Sequence, residues 1–324
     1  MTEPGNSRIQ SEPVRVALLF IDGVGVGRKD PSVNPLARRE HLLSRFGETS
    51  GSRLPENGQY HPVDTTFGVE GRPQSASNQT AILTGEPAPA LIRRHVLGYP
   101  NAPLQGLLSE RSLVKRLVTA GRSATFANTY PASYLDALKL PRRPSTSPPE
   151  FTFPPAALRR LKASASTLAF AAGQVPLRTL DDARGGEGLS HDITGQRALN
   201  RGLLLPQRTP EEAARIFWRV AEGMDFTFFE HYLADEAGHA QDFEAALSAL
   251  DTFEHFARSV IATRPEDARI LICSDHGNVE DLSTRSHTLN PVPVLYFGPP
   301  APELEALATV ADVGRTVLRW LAVE

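Results

Sequence analysis

Cysteine is nearly absent. Cys273 is the single one among 324 residues, so an internal disulfide framework is excluded. It lies in an apolar run, where an inert buried thiol is expected. Long apolar runs are missing too. None approaches the roughly 20 residues a membrane-spanning helix needs, and the polar start MTEPGNSRIQSEP has no signal-peptide core. Charge of one sign is also scarce: the formal net charge of -3 gives no electrostatic drive towards nucleic acid or an anionic membrane. There is no internal repeat and no low-complexity segment. The expectations are a cytoplasmic protein with no nucleic-acid or membrane partner; the oligomeric state stays open. What is present is an ordinary globular composition, 40% apolar and 22% charged, long enough for a core domain with an inserted cap.

Residues 1–13 read as a loose tail. VRVALLFID (Val14 to Asp22) then reads as a buried strand closed by DGVGVG. Similar runs recur at Ser123 to Asn128, Asp225 to His231, Ala268 to Ser274 and Val292 to Gly298. Helical patterns lie between them. RSLVKRLVTAG stops at Gly121, and TPEEAARIFWRVAEG opens with Thr209 as N-cap, Pro210 first in the helix and Glu212 closing a capping box. QDFEAALSALDTFEHFARSVIATRP is a long amphipathic helix ending near Pro265. Buried strands alternating with helices predict an α/β fold with a mainly parallel sheet. The texture changes between Tyr130 and about Pro206, where six prolines fall between Pro141 and Pro155 and ARGGEG is loop-like. A core over 14–129 and 206–324, with an inserted cap over 130–205, is the expected division. Within the cap, PPAALRRLKASASTLAFAAG is helical.

Four constellations could carry chemistry. In FIDGVGVG, Asp22 ends a strand, where ligands of open α/β sheets bind. The spacing of Gly23, Gly25 and Gly27 is not that of a dinucleotide loop, and a carboxylate there would repel a pyrophosphate unless a cation intervened. Alone, the string is an ordinary turn. In GRPQSASNQTAILTG, Ser75 falls at a helix N-terminus, which favours an alkoxide or a phosphate; alone, Ser75 or Ser77 is a simple cap. In DEAGH, Asp235 and His239 are four apart and share a helix face suited to a divalent ion. His231, further back, is a strand-end residue. In ILICSDHGNVEDLSTRSHTLNPVPVL, Asp275 and His276 end a strand and His287 returns before the next. Three carboxylates and three imidazoles gathered in one cleft cannot remain there ionised and unpaired. Two divalent cations would compensate them.

DGVGVG, DEAGH, and SDHGN followed by SHTLNPVPV, in this chain order, resemble the alkaline phosphatase superfamily, in particular the branch of cofactor-independent phosphoglycerate mutase and phosphopentomutase. The likeness covers roughly residues 14–85 and 209–324. It implies a three-layer alkaline-phosphatase-like α/β core with a mainly parallel central sheet. It selects Ser75 over Ser77 and Thr80 as nucleophile. It also implies one metal held by Asp22, Asp275, His276 and the Ser75 oxygen, and another by Asp235, His239 and His287. Two ions about 4 Å apart would clamp both the attacking and the leaving oxygen at phosphorus. The branch suggests Mn²⁺, the phosphatases Zn²⁺.

The resemblance thus implies a two-metal phosphoester enzyme that forms a phosphoserine on a small phosphorylated metabolite. Hydrolysis is favoured over a mutase reaction, because the arginine-rich domain of the mutases has no match here and Asn78-Gln79 replaces the Gly-His that follows their nucleophile. A phosphodiesterase or a non-catalytic metal-binding homologue is the alternative. Asn78, with Arg93 and Arg94 in LIRRHVLGYP, are the candidate substrate contacts; guanidinium groups suit phosphate. SHDITG (Ser190 to Gly195) is a polar cap motif that could face the substrate. SEPVR at Ser11 to Arg15 matches a sulfatase-type string but precedes the first strand, so it cannot align with the site.

Overall fold

Alternation along the first strand sets the architecture. In β1 (Arg15–Ile21), Val16, Leu18 and Phe20 enter one buried cluster while Ala17, Leu19 and Ile21 enter another. A strand buried on both faces needs helices above and below it, hence three layers. The computed structural model describes residues 14–47 and 50–323; the tail expected over 1–13 lies outside them.

The remaining strands are β2 (Ser52–Arg53), β3 (Gln59–Val63), β4 (Ala124–Phe126), β5 (Thr129–Tyr130), β6 (Arg178–Thr179), β7 (Phe226–His231), β8 (Ala268–Cys273) and β9 (Val292–Phe297). The main sheet runs β2-β3-β9-β8-β1-β7-β4. β8, β1, β7 and β4 are parallel neighbours, whereas β9 is antiparallel to both β8 and β3. The sheet is therefore mainly parallel with an antiparallel edge. The five apolar runs expected as strands are strands. β2 and β3 carried no such signal: QYHPV mixes polar residues with a proline, and Pro62 lies opposite Pro293 near the edge.

One face is covered by α1 (Ser75–Thr84), α2 (Ala102–Arg111), α3 (Leu113–Thr119), α4 (Ala165–Ala172) and α8 (Ala311–Trp320). The other carries α5 (Pro210–Val220), α6 (Leu233–Ala240) and α7 (Phe243–Ala262). The capping box is present: the Thr209 hydroxyl accepts from Glu212 N–H (3.2 Å), and Glu212 Oε2 accepts from Thr209 N–H (2.9 Å). No helix among the described residues is long and apolar enough to cross a membrane.

The stretch between β4 and α5 is less separate than its texture suggests. PPAALRRLKASASTLAFAAG is not one helix but two, Pro155–Leu158 and α4, the second restarted by Ser164, whose hydroxyl accepts from Thr167 N–H (3.2 Å). Phe170 of α4 stacks on Phe126 with ring centroids 4.9 Å apart and packs against Phe226 and Phe228, so α4 belongs to the core layer. Buried rings of this size each contribute about 2–3 kcal/mol by removal from water. The rest forms a two-stranded parallel ladder, β5 with β6, and short helices. Arg178 ties that ladder to the sheet edge, donating to the Phe126 carbonyl (2.8 Å), the Glu187 carbonyl (2.6 Å) and the Thr125 hydroxyl.

Candidate metal centre

The seven residues come from chain segments up to 265 positions apart, yet all lie at one end of the sheet. Asp22 follows β1, and Asp275 and His276 follow β8, its parallel neighbour. Asp235 and His239 sit one turn apart on α6, directly after β7. His287 precedes β9, whose antiparallel start lies beside the end of β8. Ser75 is the first residue of α1.

Around His276, the Ser75 Oγ lies 3.0 Å from Nε2, Asp22 Oδ1 3.4 Å and Asp275 Oδ2 3.5 Å. Around His287, the His239 Nε2 lies 3.0 Å from Nε2 and Asp235 Oδ1 3.7 Å, with Asp235 Oδ2 3.3 Å from His239 Nε2. The His276 and His287 rings stack with centroids 3.7 Å apart, so the two groups abut. Asp22, Asp275 and His276 can converge on one ion, as can Asp235, His276 and His287.

Chemistry favours cations here. His287 Nδ1 faces the Pro73 carbonyl (2.7 Å) and His239 Nδ1 faces the Arg285 carbonyl (2.9 Å). A carbonyl only accepts, so both Nδ1 atoms carry hydrogen and the two Nε2 atoms turn lone pairs at each other. A proton or a metal must lie between them, and Asp235 completes a set suited to a divalent ion. Asp22 Oδ1 is buried with no hydrogen-bond partner. Burial, reinforced by Asp275, raises the Asp22 carboxyl well above its ordinary range, and burial raises Asp275 as well. Burial, then the neighbouring His276, lowers His287 to about 4. Paired buried carboxylates become ionised cheaply only next to positive charge. The residues fit two divalent ions.

The loops holding these ligands lock together through residues that carry no visible motif. Glu280, 1% exposed, accepts from Gly25 N–H (2.9 Å), Asn278 N–H (2.7 Å), Asn290 Nδ2 (3.0 Å) and the Thr288 hydroxyl. It joins the loops after β1 and β8 to the approach to β9. This accounts for two of the glycines in DGVGVG. A Cβ on Gly25 would lie 2.3 Å from Glu280 Oε1, and Gly23 has φ +76° with Asp235 Cβ 2.7 Å from where its Cβ would be. Gln79 Nε2 donates to Asp22 Oδ2 (3.1 Å) and Asp275 Oδ2 (3.0 Å), bridging two ligand carboxylates. Asn278 Nδ2 donates to Asp235 Oδ1 (2.6 Å). Outer-shell partners typically hold about 10–100-fold in metal affinity. Glu280→Ala is therefore expected to weaken metal binding by that range in a chelator titration; an unchanged affinity would contradict the bracing role.

A cavity of about 640 Å³ opens above the centre, with Asp22, Ser75, Gln79 and Asp235 in its floor and Tyr99, Tyr130, Phe151 and Arg197 in its walls. Ser190, His191 and Asp192 of SHDITG line it. The expected substrate contacts do not. Asn78 is fully buried and donates to the carbonyls of Thr65 (2.9 Å) and Asp275 (2.8 Å), a structural role that removes it from the cavity. Arg93 and Arg94 are exposed at the end of a short helix and are not among the cavity's lining residues; nearness in sequence to α1 does not bring them to the site. His231 is fully buried, with Nδ1 2.8 Å from the His191 carbonyl.

Glu230 also lines the cavity, and its carboxylate accepts from the Tyr130 hydroxyl (3.1 Å). Burial lifts its pKa from 4.5 to about 7. A folded value above the unfolded one means the stabilising contribution is whole below pH 4.5 and is lost as pH rises through about 7. In metal-free protein, Glu230→Gln is expected to gain about 3 kcal/mol over the parent at pH 8 and nothing at pH 4. Parallel Tm-against-pH curves for the two proteins would contradict this.

Residues 206–324 match the family model described as Metalloenzyme superfamily. The 2,3-bisphosphoglycerate-independent phosphoglycerate mutase of Haloarcula marismortui is 34% identical over 100 residues, 28% of this chain and 19% of that protein. The chain thus spans only about a fifth of the length of that curated relative. The alkaline phosphatase of the Antarctic bacterium TAB5 aligns with a TM-score of 0.56 at 14% identity, over 97% of this chain and 100% of that one. The PH0037 protein of Pyrococcus horikoshii aligns with a TM-score of 0.54 at 12% identity, over 96% of this chain and 98% of that one. Likeness at such identities speaks for the fold alone. The fold is thus like that of the alkaline phosphatases, and residues 206–324 resemble the metalloenzyme superfamily.

Proposed function

We propose that this chain is a two-metal phosphoester hydrolase with Ser75 as its nucleophile, acting on a small phosphorylated metabolite. The observation that carries this is Ser75 itself: its Oγ stands at the first position of α1, 3.0 Å from His276 Nε2, in the floor of the cavity. Asp22, Asp275, His276 and Ser75 would hold one ion, and Asp235, His239 and His287 the other, Mn²⁺ and Zn²⁺ being the fitting metals. Bound there, such ions supply Lewis-acid stabilisation of the phosphoryl oxygens and lower the pKa of a nearby hydroxyl.

The chain's own residues do the rest. The N-terminus of α1 turns its free N–H groups and positive dipole end towards the phosphate and the developing serine alkoxide. Ser75 Oγ forms the bond to phosphorus as the ester P–O bond breaks, and the substrate's alcohol departs with a proton. Water then cleaves the phosphoserine, restoring the Ser75 hydroxyl and releasing inorganic phosphate. Gln79 and Glu280 fix the carboxylates and loops, so little reorganisation is needed at the moment of reaction.

The test is release of a chromogenic alcohol from a phosphomonoester and from the matching diester by chelator-stripped protein, before and after adding Mn²⁺ or Zn²⁺. Metal-dependent release from the monoester supports the hydrolase. Faster diester cleavage would make the chain a phosphodiesterase. No release from either, with metal bound, would leave a mutase or a binding protein and overturn the proposal.

A further inference from the structure

The walls of the cavity say what kind of alcohol the phosphate carries, an inference that rests on the proposed phosphoester chemistry at its floor. Seven aromatic side chains line it: Phe20 in β1 and, around it, Tyr99, Tyr130, Tyr134, Phe151, Phe153 and Tyr232. Two are costly to leave facing water. Tyr99 is 49% exposed and Phe151 37%, although each lines the cavity. Phe151 meets Phe153 edge to face at 5.0 Å, and Tyr130 stacks on Tyr134 at 6.0 Å, so the rings form ordered walls and not a collapsed plug.

Charge in the same walls disfavours a second anionic group on the substrate. Of the two arginines among the lining residues, Arg197 is held by both oxygens of Glu236, and its guanidinium also lies 5.4 Å from the Tyr232 ring centroid. Only Arg201 is left without a carboxylate partner among the described contacts. Against it stand Glu230 and Asp192. Asp192 is already saturated by Gly195 N–H (3.1 Å), Arg197 N–H (2.6 Å) and the Ser190 hydroxyl. A carboxylate or second phosphate entering here would meet only the solvent-exposed Arg201 as a spare cation, set against the buried acids Glu230 and Asp192, which is unfavourable. Flat, uncharged ring systems meet the opposite: aromatic faces to stack on, with polar atoms of Tyr130, His191 and Glu230 at their edges.

We propose that the cavity selects phosphomonoesters of a planar, uncharged ring system of the nucleoside type, and discriminates against doubly anionic substrates such as phosphoglycerates. The phosphate lies on Ser75 and the ligand cluster. The ring stacks in the aromatic walls, with Tyr99 and Phe151 closing on it from the mouth.

The experiment uses the metal-loaded full chain. It compares kcat/KM for a nucleoside 5′-monophosphate, glycerol 2-phosphate and 3-phosphoglycerate, and repeats the comparison in Tyr99→Ala and Phe151→Ala. The nucleotide is expected to exceed both other substrates by at least about tenfold, and each variant to cut that advantage by about tenfold through KM. Equal kcat/KM for the nucleotide and glycerol 2-phosphate, a preference for 3-phosphoglycerate, or variants that leave the ratio unmoved would overturn the substrate class while the hydrolase stands. If nothing is turned over, the hydrolase fails and calorimetry still decides the cavity. Tighter binding of the nucleotide than of glycerol 2-phosphate supports the inference, and equal or absent binding ends it.

Discussion

Ser75→Ala is expected to abolish phosphate release, by on the order of 10⁴- to 10⁶-fold in kcat, while both metal sites stay loaded. The magnitude follows from what the change removes. No other hydroxyl in the described residues combines the first turn of α1 with contact to His276 Nε2: Ser77 is fully buried, its Oγ accepting from Val96 N–H (3.1 Å) and donating to the Gln74 carbonyl (3.1 Å). Thr80 is likewise buried and donates its hydroxyl to the Ala76 carbonyl (2.6 Å). Neither can substitute. Alanine is a good helix former at this position, and Gln74, not Ser75, is the N-cap residue, so folding should be little disturbed. The six remaining ligands keep their supports. Full activity in Ser75→Ala would refute the nucleophile; loss of activity together with loss of both metals would make Ser75 structural.

His287→Ala should separate the two sites. His287 is pinned by the Pro73 carbonyl through Nδ1 and approaches His239 and Asp235 through Nε2. Its removal takes away one of three protein ligands from that group and leaves Asp22, Asp275 and Ser75 untouched. Affinity of the second site is expected to fall by more than about 100-fold, beyond the outer-shell range, with the first site changing by less than about tenfold. Stacking of His287 on His276 makes some coupling inevitable. Competition against a metallochromic indicator measures both constants, and equal loss at both sites would contradict the division of ligands.

The gathering of these residues at one end of the sheet was legible in the sequence because they sit where apolar runs stop. Asp22 and the pair Asp275-His276 end strands that burial on both faces makes continuous and apolar, and Asp235 and His239 share a helix face through their spacing alone. Other parts were not legible, for physical reasons. β3 is a strand because β9 offers it an edge, not because QYHPV prefers extended backbone. Glu280 looks like any loop carboxylate, and its role exists only once three loops meet around it. The cavity's aromatic residues, scattered from Phe20 to Tyr232, follow no period, since they come from separate strands, loops and a short helix that tertiary contacts alone assemble. Arg93 and Arg94 misled for the matching reason: charge type can be read from a sequence, but the direction in which a short helix points cannot. Asn78 belongs to the same case, its amide spent on two backbone carbonyls beneath the site.

The most direct test of the central claim, that phosphoryl transfer passes through Ser75, is to trap the enzyme during turnover. Metal-loaded protein is mixed with a phosphomonoester, quenched in acid within the steady state, digested and examined by mass spectrometry. One phosphoryl group on the peptide containing Ser75, absent without metal and absent in Ser75→Ala, is the expected result. Turnover with no phosphopeptide, or with the phosphoryl group on another residue, would contradict it.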